Sequence, residues 1–352
     1  MNLEIERILQ KSDLLPHGLA KLELLEEAIR MLDMTGDNET AYQVRDYLIE
    51  VAVHSGFPLK ALIAYTWQLN QYDSHPELYP ADPLMWSYKW IIVKTSHFPE
   101  IPLSQILELT DDLGKRYKQN GYSDRTYYFL KHKVAIDLGN LEEAEHYFHL
   151  FNKEERDHMS DCKACEKDAL INYYVSQGDN NLALQNALSI LYGVLKCAEV
   201  PHMTLANLLI PMLIEKSETK ANKIHEQGYR IVKNNRNFLV EIGKHLQYCT
   251  MTNLSKGIDI LEQHLTLTLN HESPLMIMKF NMYAAQFLKK LISQGFTGCP
   301  HVPTSYWPNQ DDLTLETLYK HIFNQVEAAA QQFDQRNGNC FYTNFFNSLL
   351  EA

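Results

Sequence analysis

Two consecutive stretches between Asp124 and Leu191 constrain this chain more than any other feature, because each reads as helix, polar turn, helix. The first runs from Asp124 through Ile136 and Asp137, breaks at Leu138-Gly139-Asn140, and resumes at Leu141-Glu142-Glu143-Ala144. The second places Gln177-Gly178-Asp179-Asn180-Asn181 at the break, with Ala183 and Ala187 where the first has Ala144 and Phe148. Glycine closes a helix cheaply in the left-handed conformation, and a small residue five positions later lets the next helix cross closely. Two such hairpins in tandem define a repeat protein whose units must stack to bury their apolar faces.

The same grammar extends in both directions. Residues 38–55 and the helix after Pro58 form one predicted hairpin, with Pro58 in a first helical turn where its missing N–H costs nothing. Pro83–Ser96 and Pro102–Gln119 form another, after a connection at Tyr72–Asp82. Met203–Glu215 with Thr219–Lys233, and Phe238–Thr250 with Asn253–Leu269, continue the series. The small crossing residues would be Ala61, Ser104, Ala144, Ala183, Ala221 and Gly257, at intervals of roughly 40 residues that shrink along the chain. The expected fold is all-α: a right-handed α-solenoid of about six to seven helical hairpins. Its parts are an N-terminal helical cap at 1–37, the repeats at 38–270, and a degenerate repeat with a C-terminal cap at 271–352. In the last part a helix is predicted at Pro274–Ser293 and another at Leu313–Phe333. A Gly/Pro-bearing stretch, 295–308, separates them, and a short aromatic segment follows at Phe341–Phe346.

Composition narrows the function. With 45% hydrophobic residues and 20 Tyr in 352 residues, there is ample material for a core. A formal charge of -12 argues against a nucleic-acid surface, which needs clustered Lys and Arg. The start Met1-Asn2-Leu3-Glu4-Ile5-Glu6 lacks a basic region followed by an apolar run, and no stretch approaches the roughly 18 apolar residues of a membrane span. A cytoplasmic protein with no membrane segment is expected. Six scattered cysteines in a chain of this length do not suggest a disulfide framework.

At Gly139-Asn140-Leu141-Glu142-Glu143-Ala144 and Gly178-Asp179-Asn180-Asn181-Leu182-Ala183 the chain resembles the tetratricopeptide repeat (TPR) family, with Tyr147 and Phe148 near the family's aromatic position. The resemblance covers about residues 38–270, at a longer interval than the family's 34. It implies a non-enzymatic scaffold or sensor that holds a peptide or protein on the face built by the first helix of each pair. In architecture the chain is similar to bacterial TPR-like cytoplasmic sensors of short peptides. A groove of this family clamps peptides with Lys and Asn on successive first helices, and Lys133, Asn172 and Asn207 occupy such places. Asp168 stands where the clamp would carry Lys. An Asn side chain offers both donor and acceptor to an extended backbone.

Chemistry has one other candidate. His146, His149, His158, Cys162 and Cys165 are spaced His-x2-His-x8-His-x3-Cys-x2-Cys, and Cys-x2-Cys is the usual half of a zinc site. A zinc ion would take Cys162, Cys165, His149 and His158. A thiol-redox role for Cys162-Lys163-Ala164-Cys165 and a packing role for the two cysteines are the alternatives. The remaining possibility is a structural subunit of a larger complex. Glycine-rich phosphate loops, Gly-x-Ser-x-Gly and His-Glu-x-x-His are absent, so no enzymatic activity is expected. Tyr79–Trp90 and Tyr306-Trp307 are the candidate aromatic anchors for a partner, or else core filler.

Overall fold

The structure is a computed structural model describing residues 3–307 and 313–351. Met1 and Asn2 of the expected leaderless start, and Pro308 at the end of the Gly/Pro-bearing stretch, lie outside them. The regular elements among the described residues are all helical, and none is a strand. None of the helices is long and apolar enough to cross a membrane. The chain forms two compact units, Met1–Ser160 and Asp161–Ala352, divided within the connection expected after the first of the two defining hairpins.

The first unit comprises α1 (Leu3–Asp13), α2 (Leu19–Thr35), α3 (Asn38–His54), α4 (Pro58–Ser74), α5 (Ala81–Thr95), α6 (Leu103–Gln119), α7 (Arg125–Asp137) and α8 (Leu141–Lys153). Each helix packs on the next, and α5 also packs on both α3 and α7. Its core gathers Leu22, Leu25, Ala41, Ile49, Ala61, Tyr65, Met85, Tyr88, Ile106 and Tyr117. The turn chemistry works as the sequence implies. Gly139 takes φ 73°, and the Asn140 side chain then accepts from Glu143 N–H, satisfying one amide at the helix start, while its own amide group donates to the Glu143 carboxylate at 2.8 Å.

The second unit comprises α9 (Lys163–Ser176), α10 (Asn180–Leu191), α11 (His202–Asn207), α12 (Leu209–Ile214), α13 (Glu218–Val232), α14 (Leu239–Thr252), α15 (Leu254–His264), α16 (Pro274–Ser293), α17 (Leu315–Asn337) and α18 (Phe341–Glu351). Here α9 packs on α10 and α11, α11 on α13 and α14, and α14 on α15 and α16. Gly178 takes φ 75°, and Asp179 caps α10 by accepting from Leu182 N–H.

Three details depart from expectation. The helix expected at Met203–Glu215 divides at Leu208 into α11 and α12, because Pro211 has no N–H to give the carbonyl of Asn207 four residues earlier. Ser104 is exposed, unlike the buried Ala61, Ala144, Ala183 and Ala221. The close crossing on α6 is instead at Gly114, where an added Cβ would lie 2.8 Å from the Tyr127 ring. The aromatic segment at Phe341 is the first turn of a helix. Buried Asp334 of α17 accepts from the N–H groups of Tyr342 (2.9 Å) and Thr343 (3.0 Å) and so caps α18 from outside its own sequence.

Candidate functional site

The second unit sets polar side chains along three helices that pack on one another in succession, α9, α11 and α14. Asp168 of α9 is buried, 2% exposed. One carboxylate oxygen accepts from Asn172 Nδ2 one turn along the same helix, at 2.9 Å, and the other accepts from the hydroxyl of Thr204 on α11. Asn207, one turn on from Thr204, accepts from the Lys244 ammonium of α14. Glu241, a turn before Lys244, is buried. Thus Asn172 and Asn207 belong to two hydrogen-bonded groups, Asn172–Asp168–Thr204 and Asn207–Lys244, which lie a turn apart on α11 and link it to α9 and α14.

Electrostatics in this set follow from burial. Loss of water pushes the Asp168 carboxyl up to about 6, against the pull of the Thr204 hydroxyl and of the Lys244 charge. Burial also raises Glu241 and lowers Lys244, and each partly offsets the other through charge attraction. Lys133 lies on α7 of the first unit, with its ammonium 4.3 Å from the centre of the Phe129 ring.

The cysteines converge on a different partner from the one expected. Cys162 precedes α9 as its cap residue, and its sulfur accepts from Cys165 N–H at 3.4 Å. Cys165 Sγ lies 3.4 Å from Cys197 Sγ, in the connection after α10. The three sulfurs all lie within 4.8 Å of one another, and among the described residues this is the group of metal-capable side chains that comes together. The cluster includes no histidine. In the first unit, His149 Nε2 is 3.6 Å from Glu145 on its own helix, and His158 Nε2 is 3.2 Å from Asp82. His146 stands edge-on to Tyr147.

Cys197 was not visible as a ligand in the sequence. It lies 32 residues from Cys165 with no neighbouring Cys or His, and only the α9–α10 hairpin brings it back to the Cys-x2-Cys turn. Its backbone N–H donates to the Val200 carbonyl at 2.8 Å, which fixes it in a tight loop. Burial pushes its thiol up, while backbone hydrogen bonds from Glu199 and Val200 and the neighbouring Cys165 act in the opposite sense.

The aromatic candidates divide: Tyr79, Trp86 and Trp90 are half-buried against the core of the first unit, and Tyr306 and Trp307 lie within that of the second. Tyr79 stacks on Tyr42 at 4.1 Å between ring centres, Trp86 meets Trp90 edge-on, and Tyr306 and Trp307 are buried. No protein-family model matches the chain, and no curated protein matches it.

Proposed function

We propose that this chain is a non-enzymatic, TPR-like protein of the cytoplasm, a right-handed stack of helical hairpins that holds a peptide or protein segment against its first helices. The observation that carries this reading is the polar series Asp168, Asn172, Thr204, Asn207, Lys244, which runs across α9, α11 and α14. Alternate helices packing on one another, α3 on α5, α5 on α7, α9 on α11, α11 on α14, is the arrangement by which hairpin repeats present one face from many units. Asp168 and Thr204 are buried and Asn172, Asn207 and Lys244 half-buried, and polar groups withdrawn from water are costly unless satisfied, so such a series fits a face that trades internal hydrogen bonds for those of an extended ligand.

In this mechanism the amides of Asn172 and Asn207 pair with successive peptide groups of the ligand. Lys244 selects its charged or polar side chains, while buried Asp168 holds Asn172 and Thr204 in place. Helices already fixed by packing lose little entropy on binding, so affinity follows from the ligand's own ordering cost.

The test is native mass spectrometry of the chain purified from its own host, followed by denaturing analysis of what co-purifies. A stoichiometric peptide or protein, lost from an Asn172→Ala/Asn207→Ala double variant of unchanged helical content, is the expected result. A partner retained undiminished by that variant would place binding elsewhere and overturn the reading.

A further inference from the structure

We propose that Cys162, Cys165 and Cys197 form a three-sulfur binding site for one thiolate-seeking d10 metal ion, Zn(II) or Cu(I). The three sulfurs already lie within 4.8 Å of one another, the nearest pair at 3.4 Å. A metal about 2.3 Å from each sulfur requires them roughly 3.8 Å apart in tetrahedral geometry. The Cys165–Cys197 pair is within about 0.4 Å of that value and no pair exceeds it by more than about 1 Å, so small shifts of the side chains bring the sulfurs to ligating distance.

Packing does not account for the cluster. Cys165 and Cys197 are half-buried against the core of the second unit, as small apolar residues are, but Cys162 is exposed. A sulfur is also a poor substitute for the oxygen of Ser, Thr, Asp or Asn at the start of a helix. What sulfur offers there is ligation. The Cys165 N–H pointing at Cys162 Sγ at 3.4 Å supplies an N–H···S contact of the kind that stabilises a metal-bound thiolate, and the Cys197 N–H bond to the Val200 carbonyl holds the third cysteine in its loop.

Charge is consistent with this ligand set. Each thiol that ligates releases its proton to solvent, so three thiolates around Zn(II) carry one net negative charge. The amino-terminal end of α9, with its positive dipole end, faces that charge. Exposed Lys163 and Lys196 adjoin two of the ligands in sequence. Soft thiolate ligation selects Cu(I) and Zn(II) over harder ions. Zn(II) would retain a fourth position for water or an added ligand, whereas Cu(I) is complete with three sulfurs.

The experiment uses the full chain, reduced and freed of metal, loaded separately with Zn(II) and with Cu(I), desalted, and analysed for bound metal and for the cysteines still open to alkylation. Expected is one equivalent of one of these ions, with Cys162, Cys165 and Cys197 protected together while exposed Cys340 remains reactive. Cys197→Ser abolishes stoichiometric retention, and Cys340→Ser leaves it unchanged. Retention of neither ion, or retention with Cys197 still alkylated, overturns the site. So does a Cys165–Cys197 disulfide in the isolated protein that, once reduced, still takes up no metal. Because the protection pattern is read on the unaltered chain, the result does not depend on whether the variants fold.

Discussion

Gly139 and Gly257 show two different reasons for the same residue. Gly139 needs its freedom at φ 73°, and alanine there would be held in a left-handed conformation at a cost of about 1 kcal/mol. Gly257 is helical, and an added Cβ would lie 2.3 Å from the buried Phe287 ring, so the cost is one of overpacking. Gly257→Ala is expected to destabilise by roughly 2 kcal/mol and Gly139→Ala by about half of that. Chemical denaturation of the two variants, compared at a common temperature, reads the difference directly.

A second residue-scale feature is the pair His225 and His245, whose Nδ1 atoms meet at 3.0 Å in the core of the second unit. One imidazole donates and the other accepts, so the pair requires at least one neutral ring. Burial holds His225 down to about 4 and His245 well below its ordinary value. Tyr229 and Tyr248 face the His225 ring, Cys249 Sγ lies 3.7 Å from its Nε2, and the Lys256 charge adds to the lowering. A depressed pKa means that stability is fully present above the ordinary value of 6.5 and is lost as pH falls through about 4. The His225 contribution is on the order of 3 kcal/mol. Asp168, raised to about 6, works in the opposite sense, favouring the fold as it protonates. The His225 effect is therefore read as a difference: His225→Gln is expected to flatten the pH dependence of the urea midpoint between pH 6.5 and 4 relative to the unaltered chain. Parallel curves would show that the imidazole does not titrate there.

At the scale of elements, the hairpins were legible because their turns are written locally. Gly139 with Asn140 and Gly178 with Asp179 each place the glycine and the cap side by side. What was not legible depends on residues distant in sequence. At the start of α18 Phe341 N–H finds a local side chain, Asn339, whereas the amides of Tyr342 and Thr343 are satisfied by Asp334 on α17. The break between α11 and α12 could be read from Pro211 once its missing bond to Asn207 is considered, whereas the hydrophobic period runs across it unbroken. Asp334→Ala removes the acceptors of the Tyr342 and Thr343 amides, at an expected cost of about 2 kcal/mol. Hydrogen exchange is the measurement to make, with the amides of α18 losing protection before those of α14. The cysteine site divides in the same way: Cys162 and Cys165 announce themselves by spacing, and Cys197 is brought to them only by the return of the α9–α10 hairpin.

At the scale of the whole molecule, each unit has an apolar core of its own, one centred on residues such as Leu22, Tyr65 and Tyr88, the other on Leu246, Phe280 and Phe287. Residues 161–352 expressed alone are therefore expected to fold to a helical domain with a cooperative thermal transition. A non-cooperative, uniformly exchanging fragment would contradict that expectation. The connection at the end of the first unit is anchored within that unit, since the carbonyl of Met159 accepts from both the buried Lys89 ammonium at 2.9 Å and the Thr126 hydroxyl at 3.0 Å.

Four helical glycines, Gly114, Gly228, Gly243 and Gly257, each face a ring, that of Tyr127, His245, Tyr283 and Phe287 respectively. Such ring-into-notch contacts act as detents: sliding one helix along its neighbour by even one residue drives an aromatic ring into a backbone that has no hollow to receive it. A lineage could enlarge the glycine only by shrinking the ring across from it, so across diverged descendants these four pairs are expected to change jointly, leaving a record of helix register that outlasts similarity elsewhere in the chain.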